Sequence, residues 1–381
     1  MTALRSTVKS KAVVGLFPAL VGIGGVQEAG RQTAAALDAI ARSNGWRTIF
    51  LGLNDKPGNS HFAYGGHDII FRGFGRAKTS FLFSAAQAAW GGARIVVAAH
   101  PNLAVAAECM KLVSSRVKVI AMAHGVEVWQ PLPRYRRRAL LLADLVVAPS
   151  TDTATRLDAI QGVPRRKIRR LSWSLSPDFV RLTKASNLPL PRGFPRGSVI
   201  LTVGRWAASE RYKGVDDLIH ATVHLRTRIA GLHLVAVGGG DDLGRLRGLV
   251  TELDAQDCIH FLEGLSREEL AACYAEADVF ALPSAGEGFG LVFLEAMAFG
   301  KPIVGAAIGG ATDLIEDHAN GLLVLPHDKE GLVQALSHLL LDDSLRSDLG
   351  RRGAEVVQQK YSFEVFQNEL QRIVEECNPD F

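Results

Sequence analysis

Cysteine is scarce. The 381 residues contain four, Cys109, Cys258, Cys273 and Cys377, with no CxxC or CxxxC spacing and no matching histidine set. That argues against a disulfide framework or a zinc site and leaves free thiols in a reducing compartment. Long apolar runs are also missing. The best, residues 12–26, follows Lys9 and Lys11 and superficially resembles a secretory signal. It carries Pro18, Gly22, Gly24 and Gly25, leads straight into a helical pattern, and is too short to span a bilayer. We read it as strand, glycine-rich loop and helix start. No DxD-type acidic pair stands in a loop suited to a divalent ion. Asp241–Asp242, after Gly238–Gly240, read as a turn or helix cap. No metal is expected, and cationic side chains take its place. No clean GxGxxG follows a strand, since GIGGVQEAG only approximates it, which counts against a dinucleotide-dependent oxidoreductase. Zinc-finger, helix-turn-helix and RNP-like signatures are absent, so no nucleic-acid partner is expected.

With 48% hydrophobic and 22% charged residues, the composition is that of a soluble globular protein, and its length suits two domains. The net charge of +4 hides an asymmetry. Residues 1–180 hold 24 Lys and Arg against 10 Asp and Glu, and the remainder holds 19 against 29. A basic half suits an anionic partner such as a phospholipid surface or a lipid diphosphate. Basic clusters at 134–138 (RYRRR) and 165–170 (RRKIRR) add to this, or form a solvated basic face.

Short apolar runs alternate with amphipathic stretches. Strands are expected at 12–17, 47–53, 94–99, 117–122 and 144–148, then at 198–203, 232–237, 258–262, 278–282, 302–305 and 322–325. Helices fit 27–42, 215–229, 267–275, 290–299, 329–341 and 362–376. This alternation predicts parallel sheets with crossover helices, an α/β class of two doubly wound Rossmann-like domains facing across a cleft. The stretch 187–197, NLPLPRGFPRG, reads as the boundary, giving domains 1–186 and 187–361 with a final helix beyond.

Four strand ends carry candidate chemistry, because ligands bind doubly wound sheets there. Segment 284–301, SAGEGFGLVFLEAMAFGK, places Glu287 and Glu295 eight residues apart around Gly286, Gly288 and Gly290. Bare backbone and a helix start suit a phosphate. A helical eight-residue rise is about 12 Å, of the order of the span from a sugar to a ribose across a diphosphate. Segment 203–214, VGRWAASERYKG, offers Arg205 and Lys213 as diphosphate ligands, with Arg211 a competing candidate. The loop 18–25 is a third, with a plain strand-to-helix turn as its alternative. In the fourth, AMAHGVEVW, His124 could bond a sugar hydroxyl or shuttle a proton. There Glu127 could bind an acceptor, cap a helix or lie on the surface.

These segments resemble glycosyltransferase family 4, the group 1 glycosyltransferases: EGFGLVFLE is similar to the family's E-x7-E motif, and VGRWAASERYKG to its Arg/Lys phosphate loop with a longer spacer. GGV near residue 25 and AHGVEVW also fit. The resemblance implies a GT-B fold and a retaining, metal-independent transferase needing no cofactor beyond its nucleotide-sugar donor. It implies that Glu287 binds the transferred sugar, that the backbone of Phe289, Gly290 and Leu291 meets sugar and diphosphate, and that Glu295 binds the ribose. Arg205 and Lys213 would hold the diphosphate, His124 would contact the donor sugar, and Gly24 and Gly25 would border the phosphate and acceptor side. It also implies that the last helix returns to the first domain. The expected activity is hexose transfer, possible mannose included, from a GDP- or UDP-sugar to a glycan or lipid-linked acceptor in cell-envelope or exopolysaccharide synthesis. The expected location is the cytoplasm, including the inner membrane face. A non-catalytic nucleotide- or sugar-binding protein on the same scaffold is the alternative.

Overall fold

A computed structural model describes residues 11–379 and 381; Lys9 lies outside the described residues. The chain divides into two compact units. One comprises the described residues through Ser176 together with Phe363–Phe381, and the other Pro177–Ser362. The proline-rich stretch 187–197 therefore lies within the second unit.

The first unit holds β1 (Ala12–Phe17), β2 (Arg47–Gly52), β3 (Gly58–Tyr64), β4 (His67–Gly73), β5 (Ala93–Ala98), β6 (Lys118–Met122), β7 (Leu145–Ala148) and β8 (Ile168–Arg170). They form one sheet in the order β3-β4-β2-β1-β5-β6-β7-β8. Its strands are parallel except for the β3–β4 hairpin. Every residue of β1 is buried, as in a parallel strand covered on both faces. The hairpin was not anticipated, although its signal was present: Gly65 and Gly66 both take positive φ in a two-residue turn. Helix Gly25–Ser43 buries an alanine-rich stripe with Leu37 and Ile40. Helix Phe363–Cys377 closes this same unit. It buries Phe366, Leu370, Ile373 and Val374, sets Phe366 6.0 Å from the Trp173 ring, and pairs Glu376 with Arg169.

The second unit holds β9 (Ser198–Val203), β10 (Leu232–Val237), β11 (Ile259–Leu262), β12 (Val279–Leu282), β13 (Ile303–Ala306) and β14 (Leu322–Val324). All pair in parallel in the order β11-β10-β9-β12-β13-β14. Counted within the unit this is 3-2-1-4-5-6, the Rossmann order, with its reversal between β9 and β12. Those two strands run directly into the 203–214 and 284–290 segments. Sheet order thus brings together loops distant in sequence, at the place where such folds hold ligands. The helix expected at 215–229 stops at Leu225, and helices Leu243–Glu252 and Asp343–Lys360 were not foreseen.

Candidate functional site

The second unit's site is assembled from two loops stitched together by the Ala285 N–H, which donates to the Tyr212 carbonyl at 2.7 Å. After β12 the chain reaches Glu287, partly exposed, then Phe289, which is buried. Gly290 opens helix Leu291–Ala298 with φ 95°, and no side chain caps that helix. The φ suits glycine, and a Cβ there would fall 2.5 Å from Phe293 Cδ2. The uncapped first turn, beginning at Leu291, presents backbone N–H groups and the positive dipole end. Gly309 and Gly310 complete the cradle. The Gly310 N–H donates to the Glu287 carbonyl at 2.6 Å, and a Cβ on Gly310 would lie 2.5 Å from Phe289 Cα. These two glycines escaped the sequence reading, because nothing local marks a glycine needed for approach to a distant loop.

After β9, Lys213 Nζ lies 3.0 Å from Glu210 Oε2, and Arg205 pairs with the same carboxylate. Lys213 is 14% exposed and Arg205 70%. Burial pulls the Lys213 ammonium below its ordinary range, with Glu287 opposing and Arg205 adding to the effect. Burial pushes the Glu287 carboxyl up, against the pull of Lys213. Tyr212 is raised by burial and by Glu287, with Arg205 opposing. Arg205, Tyr212, Lys213 and Glu287 therefore share one electrostatic neighbourhood. A desolvated carboxylate in the field of Lys213 can accept hydroxyl donors, while Lys213 and Arg205, which share Glu210, can hold an anion. Glu295 lies within the helix and accepts a 2.7 Å hydrogen bond from the Tyr274 hydroxyl. The sequence reading did not include Tyr274.

Arg211 has a different task. Its guanidinium donates to Asp242 at 2.7 and 3.1 Å, and Arg245 donates to Asp242 at 2.6 Å and to Asp216 at 2.5 Å. Asp241 and Asp242 form a turn, as expected; Asp242 occupies the N-cap position of helix Leu243–Glu252, with its side chain given to the arginines and not to the cap. Asp241 accepts the Ala208 N–H at 2.8 Å. Among the described residues no group of three or more His, Cys, Asp or Glu could hold a metal ion.

In the first unit, Gly24 (φ 141°) precedes helix Gly25–Ser43, again without a side-chain cap. The loop before it is clamped from two sides. Asp55, buried, accepts the Leu20 and Val21 N–H groups at 2.9 Å each. Arg31 donates to the carbonyls of Leu20 (3.1 Å) and Gly22 (2.9 Å). His124 follows β6. Its Nε2 donates to the Ala99 carbonyl at 2.7 Å. The ring stacks on Trp173 at 5.3 Å. Glu127 accepts the His124 backbone N–H at 2.5 Å, so its carboxylate holds the turn. His100, after β5, sits 5.7 Å from the His124 ring and is pulled down to about 4 by burial and by His124. It follows a strand end just as His124 does, and the same reasoning could have found it.

Several residues of the basic clusters are engaged within the unit. Arg137 donates to the Gln161 carbonyl, Arg165 pairs with Asp158, Lys167 donates to the carbonyls of Leu141 and Ala143, and Arg169 pairs with Glu376. No helix of the described residues is long and apolar enough to cross a membrane.

Comparison with known proteins covers both units. The family model for glycosyl transferases group 1 matches residues 194–356, and that for glycosyltransferase family 4 matches residues 23–172. A GDP-mannose-dependent alpha-(1-6)-phosphatidylinositol monomannoside mannosyltransferase of Mycobacterium tuberculosis is 32% identical over 266 residues, 66% of this chain and 68% of that protein. A D-inositol 3-phosphate glycosyltransferase of Corynebacterium jeikeium is 37% identical over 212 residues, 54% and 49% of the two chains. Among solved structures, a sucrose-phosphate synthase from Thermosynechococcus elongatus is similar with TM-score 0.76 at 21% identity, over 98% of this chain and 100% of that one. A glycosyltransferase from Rickettsia africae has TM-score 0.74 at 18% identity, over 97% and 98%. With a family model matched in each unit and a relative aligned over two thirds of its length, the chain belongs to the group 1 glycosyltransferases of family 4 and has their GT-B fold.

Proposed function

We propose that this protein is a retaining hexosyltransferase that moves a sugar, with mannose the leading candidate, from a nucleoside diphosphate to a glycan or lipid-linked acceptor of the cell envelope. The observation that carries the reading is the cluster of Glu287, Lys213 and Arg205 at the β9/β12 switch point, beside an uncapped helix start. GDP-mannose-dependent relatives favour a GDP-sugar over a UDP-sugar.

In this reading Glu287 accepts hydroxyls of the transferred sugar. The N–H groups of Phe289, Gly290 and Leu291 meet sugar and diphosphate, and Arg205 and Lys213 stabilise the leaving charge electrostatically, without a metal. Glu295 binds the ribose. His124 is assigned to the donor sugar, and Gly24 and Gly25 to the phosphate and acceptor side. The anomeric C–O bond to phosphate breaks as the acceptor oxygen bonds the same face, and the acceptor proton passes to the leaving phosphate. Glu127 is assigned to holding the His124 turn, with acceptor contact secondary. Peripheral attachment to the inner membrane face is supported by the excess of positive charge in residues 1–180 and by Leu82, Phe83 and Trp90 on the outer side of helix Lys78–Trp90.

The test is thermal shift without added metal against GDP, UDP, ADP, their sugar conjugates and NAD(P). A ligand at 100 times its dissociation constant stabilises by about 2.7 kcal/mol. A shift with GDP and GDP-mannose supports the reading; a shift with NAD(P) alone refutes it.

A further inference from the structure

We infer that Glu210 is an internal counter-ion, which the donor's diphosphate must displace from Arg205 and Lys213, and that it thereby sets how tightly this site holds a nucleoside diphosphate. The inference rests on the reading above, in which those two cations hold the diphosphate.

The spacer 206–212 between the two cations contains Glu210. Residues Ala208–Lys213 wind as a 3-10 helix that breaks at Glu210, where φ is −120° and ψ 25°. Hydrogen bonds hold the backbone on both sides of that break. The Glu210 N–H donates to the Ala207 carbonyl at 2.8 Å, the Ala208 N–H to Asp241 at 2.8 Å, and the Ala285 N–H to the Tyr212 carbonyl at 2.7 Å. The Glu210 side chain is only 12% exposed and puts one oxygen on each cation. Oε1 accepts from Arg205, and Oε2 lies 3.0 Å from Lys213 Nζ.

A carboxylate and a phosphate are both anionic acceptors and address the same N–H donors. Two anions on one pair of cations repel each other, the more strongly where water is scarce. The loop's third cation, Arg211, is held by Asp242 and cannot make up the difference. With Glu287 ionised, Arg205 and Lys213 are therefore balanced by two carboxylates, and such a cluster attracts a diphosphate weakly. Once Glu210 is displaced, the cations face the uncapped start of helix Leu291–Ala298 with an excess of positive charge. The ion pairs Glu210 makes in the free protein are given up on binding. They stabilise the free protein and weaken the complex together. Glu210 is thus a positioning residue, acting through Arg205 and Lys213.

The experiment titrates GDP and guanosine into wild type, Glu210→Gln and Glu210→Asp by calorimetry, with thermal melts of each free protein. Glu210→Gln is expected to bind GDP about 10-fold more tightly, the low end for hydrogen bonds to charged groups because Arg205 is 70% exposed. It should bind guanosine as the wild type does, and melt at a lower temperature when free. Glu210→Asp draws the carboxylate back by one methylene and should tighten GDP by about 2- to 5-fold, which keeps the test open if the glutamine variant fails to fold. A purely structural glutamate would lower melting temperature and GDP affinity together. GDP affinity unchanged or weakened in the folded variants overturns the inference while leaving the diphosphate role of the cations intact, and so does an equal gain for guanosine. A wild type that binds GDP no more tightly than guanosine overturns that role and the inference with it.

Discussion

The position of Arg211 leads to a prediction that separates stability from donor binding. Asp242 is 5% exposed and accepts hydrogen bonds from Arg245 and Arg211. Those bonds, Arg245's foremost, hold its carboxyl down at about 2 against an ordinary 3.8. A difference of that size is worth about 2.5 kcal/mol. Arg211 is 55% exposed, so solvent screening reduces the expected figure to about 1.5–2 kcal/mol. The folded state holds the proton more weakly than the unfolded state does. The stabilisation is therefore complete above about pH 4 and is lost as pH falls through about 2. Asp242→Asn should cost about 1.5–2 kcal/mol at pH 6 and about half that at pH 3. Urea unfolding at fixed pH, followed by tryptophan fluorescence, reads this difference; Trp206 lies buried beside the network. Arg211→Ala should show a smaller loss of the same kind, about 1 kcal/mol, with GDP affinity within about twofold of wild type. A deficit of Asp242→Asn that does not vary with pH would refute the electrostatic account. A tenfold loss of GDP affinity in Arg211→Ala would return Arg211 to the phosphate ligands.

Three further substitutions probe the site. Glu287→Gln should abolish transfer yet stabilise the fold at pH 7: burial raises this carboxyl, so its ionisation opposes folding as pH climbs above the unfolded value of about 4.3, and the gain over wild type should vanish below about pH 4 in thermal melts. Turnover at the wild-type rate by folded Glu287→Gln would sink the sugar role. Gly310→Ala forces the Phe289 backbone to shift, so a loss of about 1–3 kcal/mol in melts and weaker GDP binding in calorimetry are expected, whereas unchanged binding would detach the β13 loop from the site. Asp55→Ala leaves the buried Leu20 N–H and the part-buried Val21 N–H without their acceptor, costing about 1–3 kcal/mol, and hydrogen exchange at Leu20 and Val21 should accelerate selectively if the clamp is real.

The sequence by itself determined the elements and the family. Buried parallel strands such as Val13–Leu16 and Leu232–Val237 announce themselves as apolar runs, and the E-x7-E segment is contiguous, so both are local signals. The Gly65–Gly66 turn was equally local and simply went unread. Tertiary structure decided the partners. Of Arg205, Arg211 and Lys213, three cations on one loop, only sheet order and the approach of the β10 loop show Arg211 turned to Asp242 while Lys213 faces the field of Glu287. Tyr274 meets Glu295 across 21 residues, and Gly310 meets Glu287 across the β12–β13 crossover. A side chain's spacing states where it sits along its own element. What it touches depends on which distant backbone the packed sheet brings beside it, and no local periodicity encodes that.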